Sequence, residues 1–331
     1  MTMIGSGFKA GLIGCGLAGR GHAAQAKSLG IELVGFCDVI GEAGERALAE
    51  FGGRYATTDP DRIMHDDSID LVVIATHNDT HHPLALAAAQ SGKHILLEKP
   101  MSRTRAQAIE VAEAVEQAGV KLVINCKFRI EPTVQKAREL LPHPRLSHGQ
   151  LAASDTSKRW VWRPDVGGGL LISTAIHTID LLGYLMDCAP ERVYAEGRVF
   201  RENKDSGGYP DGLVGTILWK NGGLSTLIST DQGENPFVSK WFLEMWDGER
   251  SATFSAHMSR VDFSGCDVDH VETREFPEEI QNKASMMVNL LEAIQTDGDT
   301  LCNVRDGVQA VAICNALDEA ARTGKPEAVQ I

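Results

Sequence analysis

A lysine between a glutamate and a proline is the residue of this chain best placed to do chemistry. In the segment "HILLEKPMS", residues 94–102, an apolar run ends on Glu98, Lys99 and Pro100. Neighbouring side chains of a strand point to opposite faces, so Glu98 and Lys99 do not simply pair with one another. Pro100 disfavours the α conformation at Lys99 and stiffens the turn. As a base, Lys99 needs its pKa lowered from about 10 to about 7–8, which partial burial favours; the alternative is a lysine that reaches solvent.

A glycine-rich turn near the start of the chain has the spacing of a dinucleotide-binding loop. The segment "GLIGCGLAG" places Gly14, Gly16 and Gly19 between a strand and a helix. Gly14 permits the tight turn, Gly16 lets a pyrophosphate approach the backbone, and Gly19 allows close helix packing. Leu17 and Ala18 open the helix, whose N-terminal N–H groups and dipole attract phosphates. We therefore expect a dinucleotide here, although glycines at such turns are often purely steric.

Asp38 ends the second predicted strand and is placed to accept hydrogen bonds from the adenosine ribose hydroxyls. The alternative is a helix N-cap. A carboxylate at this position repels a 2′-phosphate, and the next arginine along the chain is Arg46. NAD is therefore expected as the cofactor, and NADP is less favoured.

A strongly apolar helix predicted near residues 170–186 carries one polar stripe. At 100° per residue, Ser173, His177, Asp180 and Tyr184 fall close together on its surface. Buried polar groups need partners, either in the core or in a ligand. The preceding glycine turn and the stripe favour a ligand site over a histidine satisfied in the core.

Aromatic and cationic residues precede this helix. The segment "SKRWVWRPD" contains Trp162 and Arg163, which could stack on a sugar ring and bind hydroxyls or anions, or else pack in the core or at a subunit contact. Lys127, in "CKFRIEP", is a further cation that either attracts a substrate carboxylate or phosphate or pairs with surface acids.

The cluster "HNDTHH" could suggest a metal through His77, His81 and His82. It lies at a strand-to-helix turn without a supporting cysteine, and Asp79 is also explained as a helix cap. No metal is expected.

Composition narrows the class of protein. The chain has 331 residues, more than one core usually organises, with 43% hydrophobic and 23% charged residues. A formal charge of −13 disfavours nucleic acid and anionic membranes as partners. Seven cysteines without zinc spacing, and the absence of a signal-peptide core or a membrane span, predict a cytoplasmic soluble protein.

The pattern of elements predicts two domains, 1–126 and 127–331. The first alternates buried strands with helices, as in a Rossmann doubly wound parallel sheet. Its predicted strands are 8–14, 31–38, 70–76, 94–98 and 120–125, and its helices are 17–29, 42–51, 80–91 and 103–118. The second is predicted to be an α+β domain with an open, mostly antiparallel sheet and a hairpin at Asn221-Gly222. Its predicted helices are 133–141, 170–186, 283–296 and 305–323.

Together these segments resemble the Gfo/Idh/MocA oxidoreductase family. The resemblance rests on "GCGLAG", "NDTHHPLALAAAQSGKHILLEKPMS" and "GGGLLISTAIHTIDLL", and it spans nearly the whole chain. It implies an NAD(P)-dependent dehydrogenase that acts on a carbinol of a sugar, cyclitol or sugar derivative. It further implies that Lys99 and His177 handle the proton beside the nicotinamide. The other implied cofactor contacts are Thr76, Asn78, His81 and Glu98, the last near the nicotinamide ribose, and Asp180 is implied as a substrate contact.

The chain also departs from the family pattern. Inositol-dehydrogenase-type members carry an Asp where this chain has Ser173, which can exchange hydrogen bonds but cannot hold a negative charge. The resemblance and the residues described above together give the expected substrate contacts, which are Lys99, Lys127, Trp162, Arg163, Ser173, His177 and Asp180.

Other functions remain compatible with this reading. They are a trans-dihydrodiol dehydrogenase, an oxo-sugar reductase, an NAD-using glycosidase that oxidises its substrate transiently, and a dinucleotide-binding regulator without turnover. An open sheet needs a cover, so a homodimer or homotetramer through the second domain is expected.

Overall fold

The computed structural model describes residues 3–154, 159–200, 207–234, 237 and 239–331. The chain divides into two compact units. The first contains Met1–Ser102, Ala106–Asn125 and Ser285–Gly307, and the second contains Arg103–Arg105, Cys126–Ala284 and Val308–Ile331. The chain passes from the first unit to the second between Asn125 and Cys126, and Ser285–Gly307 returns to the first unit. The expected domains 1–126 and 127–331 stay a prediction. Within the described ranges, no helix has the length and apolar character needed to cross a membrane.

The first unit is built on a six-stranded parallel sheet in the order β3-β2-β1-β4-β5-β6. This is the predicted Rossmann-type arrangement. Its strands are β1 Lys9–Ile13, β2 Glu32–Cys37, β3 Tyr55–Thr57, β4 Leu71–Ile74, β5 His94–Leu97 and β6 Leu122–Ile124. The helices along this part of the chain are α1 Leu17–Ser28, α2 Gly41–Phe51, α3 Asp61–Met64, α4 Asn78–Gln90 and α5 Arg105–Ala118.

The central strands of this sheet are buried on both faces, which is why they read as unbroken apolar runs. All four residues of β4 are buried, and Phe36 of β2 and Leu96 of β5 are fully inaccessible. The edge strand β3 was not predicted. It has only three residues, all partly exposed, so it lacks the apolar run that reveals the others.

The second unit is built on a nine-stranded sheet in the order β14-β13-β12-β11-β7-β10-β9-β8-β15. Neighbouring strands are antiparallel except for β7 and β10, as expected for a mostly antiparallel sheet. The strands are β7 Leu146–Ala152, β8 Pro190–Arg198, β9 Gly212–Trp219, β10 Leu224–Thr230, β11 Trp241–Trp246, β12 Ser251–Ser255, β13 Arg260–Ser264, β14 His270–Glu272 and β15 Glu327–Ala328. The remaining helices of the chain are α6 Pro132–Leu140, α7 Ile176–Met186, α8 Glu278–Lys283, α9 Met286–Thr296 and α10 Val304–Thr323.

Helix α9 explains why Ser285–Gly307 joins the first unit. Its apolar residues pack against β5 and β6, at the edge of the parallel sheet. The backbone that follows extends the contact, because Thr300 Oγ1 donates to the Leu122 carbonyl at 2.6 Å and Ile124 N donates to the Cys302 carbonyl at 2.9 Å. Sequence order alone does not reveal such a return of the chain.

The two faces of the nine-stranded sheet differ. Helix α7, whose residues are all buried, packs against β7, where Gly149 leaves room for Thr178. On the other face, residues paired across the sheet are at least partly exposed, among them Val214, Ile228 and Phe242. The turn between β9 and β10 is the predicted hairpin, with Gly222 in the left-handed conformation at φ 83°.

Candidate active site

Five parallel strands end at the same level, and the residues that follow them meet along one edge of the sheet. The aligned last positions are Cys37, Ile13, Ile74, Leu97 and Ile124. The residues that come next are Asp38, Gly14, Ala75, Glu98 and Asn125. Because β1 lies between β2 and β4, this edge includes the point where the strand order reverses, which is where open α/β sheets bind ligands.

The glycine loop has the geometry that a bound pyrophosphate requires. Gly14 adopts φ 92°, and a β-carbon there would overlap the Ala75 carbonyl. A β-carbon on Gly19 would overlap the carbonyl oxygen of Gly14, so α1 lies directly on the loop. A β-carbon on Gly16, in contrast, would meet nothing within 4 Å. Gly14 and Gly19 are thus required by the fold, whereas the open space at Gly16 fits an approaching phosphate.

Leu17 and Ala18 begin α1 immediately after this loop, and Leu17 is 93% exposed. The Leu17 side chain therefore lies in solvent at the first turn of the helix, and the cofactor contact expected there stays a prediction.

Asp38 is tied to the glycine loop. Its Oδ2 accepts a hydrogen bond from Cys15 N at 2.7 Å, and its Oδ1 accepts one from Ile40 N at 2.9 Å. The N-cap of α2 is Ile40, so Asp38 is not the helix cap considered above. A carboxylate has lone pairs for further acceptor contacts, so Asp38 fits a ribose while it fixes the loop. The Cys15 thiol beside it is unreactive: burial, then the Asp38 charge, raises its pKa to about 12.

Glu98 lies in a hydrogen-bonded cluster next to Lys99. Its Oε1 accepts from Asn125 Nδ2 at 2.7 Å and lies 2.8 Å from His22 Nε2. Burial opposes ionisation of Glu98, but the hydrogen bond and charge of His22, the charge of Lys99 and the Asn125 amide outweigh it and lower the pKa of Glu98 to about 2. Lys99, itself partly exposed, therefore stands beside a carboxylate that is ionised at neutral pH.

Behind Lys99, His81 supports the turn. The Lys99–Pro100 peptide bond is cis. His81 is fully buried, its Nδ1 lies 2.6 Å from the Pro100 carbonyl oxygen, and its Nε2 lies 3.2 Å from that of Thr76. Burial lowers the pKa of His81, so the neutral ring has a single N–H, which the shorter contact assigns to Pro100. His81 therefore helps to position the Lys99–Pro100 turn, and its expected place beside the cofactor stays a prediction.

The other residues of this turn lie at the start of α4. Asn78 is 2% exposed, and the Thr76 hydroxyl accepts a hydrogen bond from Thr80 Oγ1 at 2.7 Å. His82 Nε2 lies 2.8 Å from Glu110 Oε2. His81 and His82 thus use their nitrogens on different protein partners rather than turning them towards one point. The N-cap of α4 is His77, not the predicted Asp79.

In the second unit, the expected polar stripe begins in an irregular helical turn. Residues Leu171–Ala175 form a π-helical turn that leads directly into α7. Ser173 is 2% exposed, and its Oγ donates to the Gly167 carbonyl at 2.7 Å. Its visible role is to hold the glycine turn against the helix.

Asp180 has a protein partner. Its Oδ2 accepts from Arg129 Nε at 2.9 Å and its Oδ1 from Arg129 Nη2 at 2.7 Å. Only 3% of the arginine side chain and 2% of the aspartate side chain are exposed. The pair fixes the 3₁₀ turn Lys127–Ile130 against α7. The expected contact of Asp180 with a substrate stays a prediction, because a carboxylate that accepts two hydrogen bonds keeps further lone pairs.

His177, one turn before Asp180, lies in an aromatic cluster. Its ring centroid is 5.5 Å from that of Phe128 and 6.2 Å from that of Trp241. Trp241 also contacts the ring of His257 at 5.6 Å. His177 is 8% exposed. As a histidine, it is a side chain that can exchange a proton through its ring nitrogens.

Two lysines flank the same cluster. Lys127 Nζ lies 5.2 Å from the Phe128 ring centroid and 5.5 Å from that of Trp241, and Lys240 Nζ lies 4.8 Å from that of Trp241. We call Phe128, His177, Trp241, His257, Lys127 and Lys240 the His177 cluster.

The described residues of "SKRWVWRPD" form the 3₁₀ turn Arg159–Trp162 and the chain that follows it. Trp162 is only 3% exposed, and its expected contact with a sugar stays a prediction. Arg163 is exposed and pairs with Asp165 at 2.5 Å. Ser157 and Lys158 of this segment lie outside the described residues.

Two family models match the chain. Residues 8–126 match the model described as "Oxidoreductase family, NAD-binding Rossmann fold", and residues 143–236 match the C-terminal domain model of the same Gfo/Idh/MocA family. Together they span well over half of the chain. The chain belongs to the Gfo/Idh/MocA oxidoreductase family. Its first unit is therefore the NAD-binding Rossmann part of an oxidoreductase, as the resemblance implied.

Individual members of the Gfo/Idh/MocA family share between a fifth and a quarter of their residues with this chain in the following three comparisons. "Uncharacterized oxidoreductase YrbE" of Bacillus subtilis is 25% identical over 97% of this chain and 96% of its own length. A myo-inositol 2-dehydrogenase of Thermotoga maritima is 25% identical over 66% of this chain and 67% of its own length. A solved levoglucosan dehydrogenase in complex with NADH and levoglucosan superimposes with a TM-score of 0.87 over 98% of this chain and 99% of that chain, at 22% identity. At that identity the likeness establishes the fold.

Sequence reasoning missed three side chains of this Gfo/Idh/MocA protein that the structure brings forward. His22 lies on α1, where no motif points to it, although it follows the last glycine of the loop by less than one helical turn. Asn125 could have been found, because it follows β6 as Glu98 follows β5. Trp241 is distant in sequence from His177, and only sheet pairing brings β11 next to β7 and α7.

Proposed function

We propose that this protein is an NAD-dependent dehydrogenase that transfers a hydride between nicotinamide and a carbinol of a sugar, cyclitol or sugar derivative. The observation that carries the proposal is the aligned row of strand ends, which combines the glycine loop, Asp38 and the Glu98-Lys99 pair at one sheet edge. The names of its relatives support the substrate class, since they include inositol and levoglucosan dehydrogenases.

The residues of the first unit fit the cofactor. The backbone around Gly14, Gly16 and Gly19, with the N–H groups of Leu17 and Ala18, would hold the pyrophosphate, and Asp38 would hold the adenosine ribose. Thr76, Asn78, Glu98 and Lys99 would lie along the nicotinamide half. NAD, when bound, accepts or supplies the hydride. Because Asp38 repels a 2′-phosphate, we propose NAD rather than NADP.

Lys99 and His177 are proposed to handle the proton. Oxidation of a carbinol requires a base to take the hydroxyl proton while the carbonyl forms, and in the reverse direction the same group returns it. Glu98 stays ionised, and its hydrogen bonds to His22 and Asn125 hold it in place next to Lys99. In the proposal Lys99 contacts the reacting oxygen, and His177 exchanges the proton beyond it. Ser173 supplies no negative charge to this path.

A panel of sugars, polyols and a dihydrodiol, incubated with NAD, tests the function. The proposal expects NADH to form with at least one sugar or polyol. Oxidation of the dihydrodiol alone would instead identify a trans-dihydrodiol dehydrogenase. Sugar release from glycosides without net NADH would identify an NAD-using glycosidase. Tight NAD binding without turnover of any compound would favour a regulator and contradict the proposal.

We also propose that two copies associate through the open face of the nine-stranded sheet. Val214 is 57% exposed and Tyr194 is 38% exposed on this face, and such apolar surface is a common subunit contact. Light scattering after size exclusion should give a dimer or tetramer; a monomer at micromolar concentration would contradict this assembly.

All seven cysteines are thiols, which supports a reducing cytoplasmic setting.

A further inference from the structure

The His177 cluster combines a ring surface with concentrated positive charge. Lys127 and Lys240 are distant in sequence, but both place their ammonium groups within 6 Å of the Trp241 ring centroid. Trp241 is partly exposed, and its ring also contacts His177 and His257. The cluster thus offers an aromatic face, two cations and an imidazole next to the histidine that the proposed function assigns to proton transfer.

The charge of Lys127 is not explained by an ion pair with an acid among the described residues. Among the described residues, no carboxylate lies within ion-pair distance of Lys127, although the chain as a whole carries a net charge of −13. The positive charge of Lys127 tends to lower the pKa of Glu131, but the two groups form no ion pair. The Oε2 of Glu131 instead accepts a hydrogen bond from Thr273 Oγ1 at 3.3 Å. In a protein so rich in acids, an ammonium group without a carboxylate partner beside a proposed catalytic histidine suits an anionic ligand.

The position of Lys127 is fixed from behind. Arg129 and Asp180 form a buried ion pair, and Phe128 packs on His177, so both neighbours of this turn are anchored on α7. Gln135 adds a hydrogen bond from its amide to the Arg129 carbonyl. The backbone of the turn that carries Lys127 is therefore anchored, whereas the lysine side chain itself is exposed and open to a ligand.

We propose that the carbinol substrate carries an anionic group, a carboxylate or a phosphate, which binds Lys127 and Lys240 beside the Trp241 ring. This inference rests on the proposed function, since it names the substrate class of the same site. The sugar ring lies against Trp241, whose flat apolar face matches the C–H face of a sugar. The carbinol to be oxidised then lies near His177, and the anion lies between the two ammonium groups.

The test compares glucose, glucuronate and a glucose phosphate, together with the corresponding forms of any other sugar that is active. The parent should prefer an anionic form over its neutral counterpart by at least about tenfold in kcat/KM, because a hydrogen bond to a charged group contributes about 1.5–3 kcal/mol. The double variant Lys127→Gln/Lys240→Gln should lose most of this preference. The control Lys136→Gln, on α6, removes an exposed lysine that pairs with Glu139, and it should keep the preference.

Salt gives a second readout. Added salt should raise the KM of the anionic substrate more in the parent than in the double variant, because screening acts on charge pairs. A parent that prefers the neutral sugar, or a double variant with an unchanged preference, would overturn the inference. Preference for the carboxylate or for the phosphate decides which anion is the natural one.

A binding measurement tests this inference independently of the proposed function. If no sugar is oxidised, the function fails, but calorimetric titration of the NAD-loaded protein with glucuronate and the glucose phosphate still decides the anion site. Binding of either anion that weakens at least about tenfold in the double variant, but not in Lys136→Gln, supports the site. Failure of the parent to bind either anion more tightly than glucose contradicts it.

Discussion

Arg129 and Asp180 form a two-point ion pair across the second unit, with N···O distances of 2.9 and 2.7 Å and almost no solvent exposure. The pair joins the turn that carries Lys127 and Phe128 to the helix that carries His177. Asp180 therefore holds Arg129 in place in this structure, and its predicted contact with a substrate stays a prediction.

Breaking this pair should destabilise the protein strongly. Asp180→Asn leaves the Arg129 charge buried without a counter-charge, which costs about 3–5 kcal/mol in the free energy of unfolding. Urea titration of parent and variant measures the difference. The control is Asp187→Asn, in the exposed pair Arg138–Asp187, where the left-handed backbone at φ 47° tolerates Asn and the loss should stay below about 1 kcal/mol. Equal losses in the two variants would show that the buried pair contributes no more than a surface one.

Substitutions of the two loop glycines Gly16 and Gly19 should affect cofactor binding and folding stability differently. Gly16→Ala adds a methyl group where nothing lies within 4 Å, so we expect normal thermal stability but at least about tenfold weaker NAD binding, since the methyl group occupies the space assigned to the pyrophosphate. Gly19→Ala forces a β-carbon onto the Gly14 carbonyl and should destabilise the fold itself. Fluorescence titration with NADH and thermal melts give the two readouts.

Gly21→Ala is the matched control for this series. Gly21 lies on the same helix, and its β-carbon would also meet no atom within 4 Å. Because alanine favours helix by up to about 1 kcal/mol, this variant should be neutral or slightly stabilised and should bind NAD normally. NAD affinity of Gly16→Ala equal to that of Gly21→Ala would argue against a pyrophosphate at this loop.

Glu98 should contribute to the acid sensitivity of the fold. Its pKa falls from 4.5 to about 2 in the folded state, so its contribution to stability is present above pH 4.5 and is lost as the pH falls towards 2. The difference in free energy of unfolding between parent and Glu98→Gln should therefore shrink by up to roughly 3 kcal/mol across this window. Urea titrations at several pH values measure it. Glu113→Gln, on the exposed face of α5, is the control, and a difference for Glu98→Gln that is constant with pH would refute the assignment.

Local patterns predicted most of the first unit because its central strands are buried on both faces and read as apolar runs. The glycine loop and the strand end at Glu98 needed only nearby residues for their prediction. Strand β3 was not predicted from the sequence, because three half-exposed residues carry no periodic pattern of apolar side chains. The return of Ser285–Gly307 to the parallel sheet was not predicted either, because α9 has the pattern of an ordinary apolar helix. No local feature of its sequence shows which of the two sheets it covers.

In the second unit, fewer of the contacts of the candidate site could be predicted from the sequence. The helical stripe correctly marked Ser173, His177 and Asp180 as buried polar groups that need partners. It could not distinguish a protein partner from a ligand, and Arg129 turned out to be the partner of Asp180. The aromatic neighbours of His177 depend on the pairing of β11 with β7, which is a property of the whole sheet rather than of any segment.

The central claim is that Lys99 takes the proton of the carbinol, and a single-turnover measurement of NADH formation with the best substrate of the panel tests it most directly. Lys99→Met should still bind NAD but form NADH about 10²- to 10⁴-fold more slowly than the parent, the usual contribution of a general base. The control Lys27→Met, an exposed lysine of α1, should match the parent. A Lys99→Met variant that forms NADH as fast as the parent would contradict the claim.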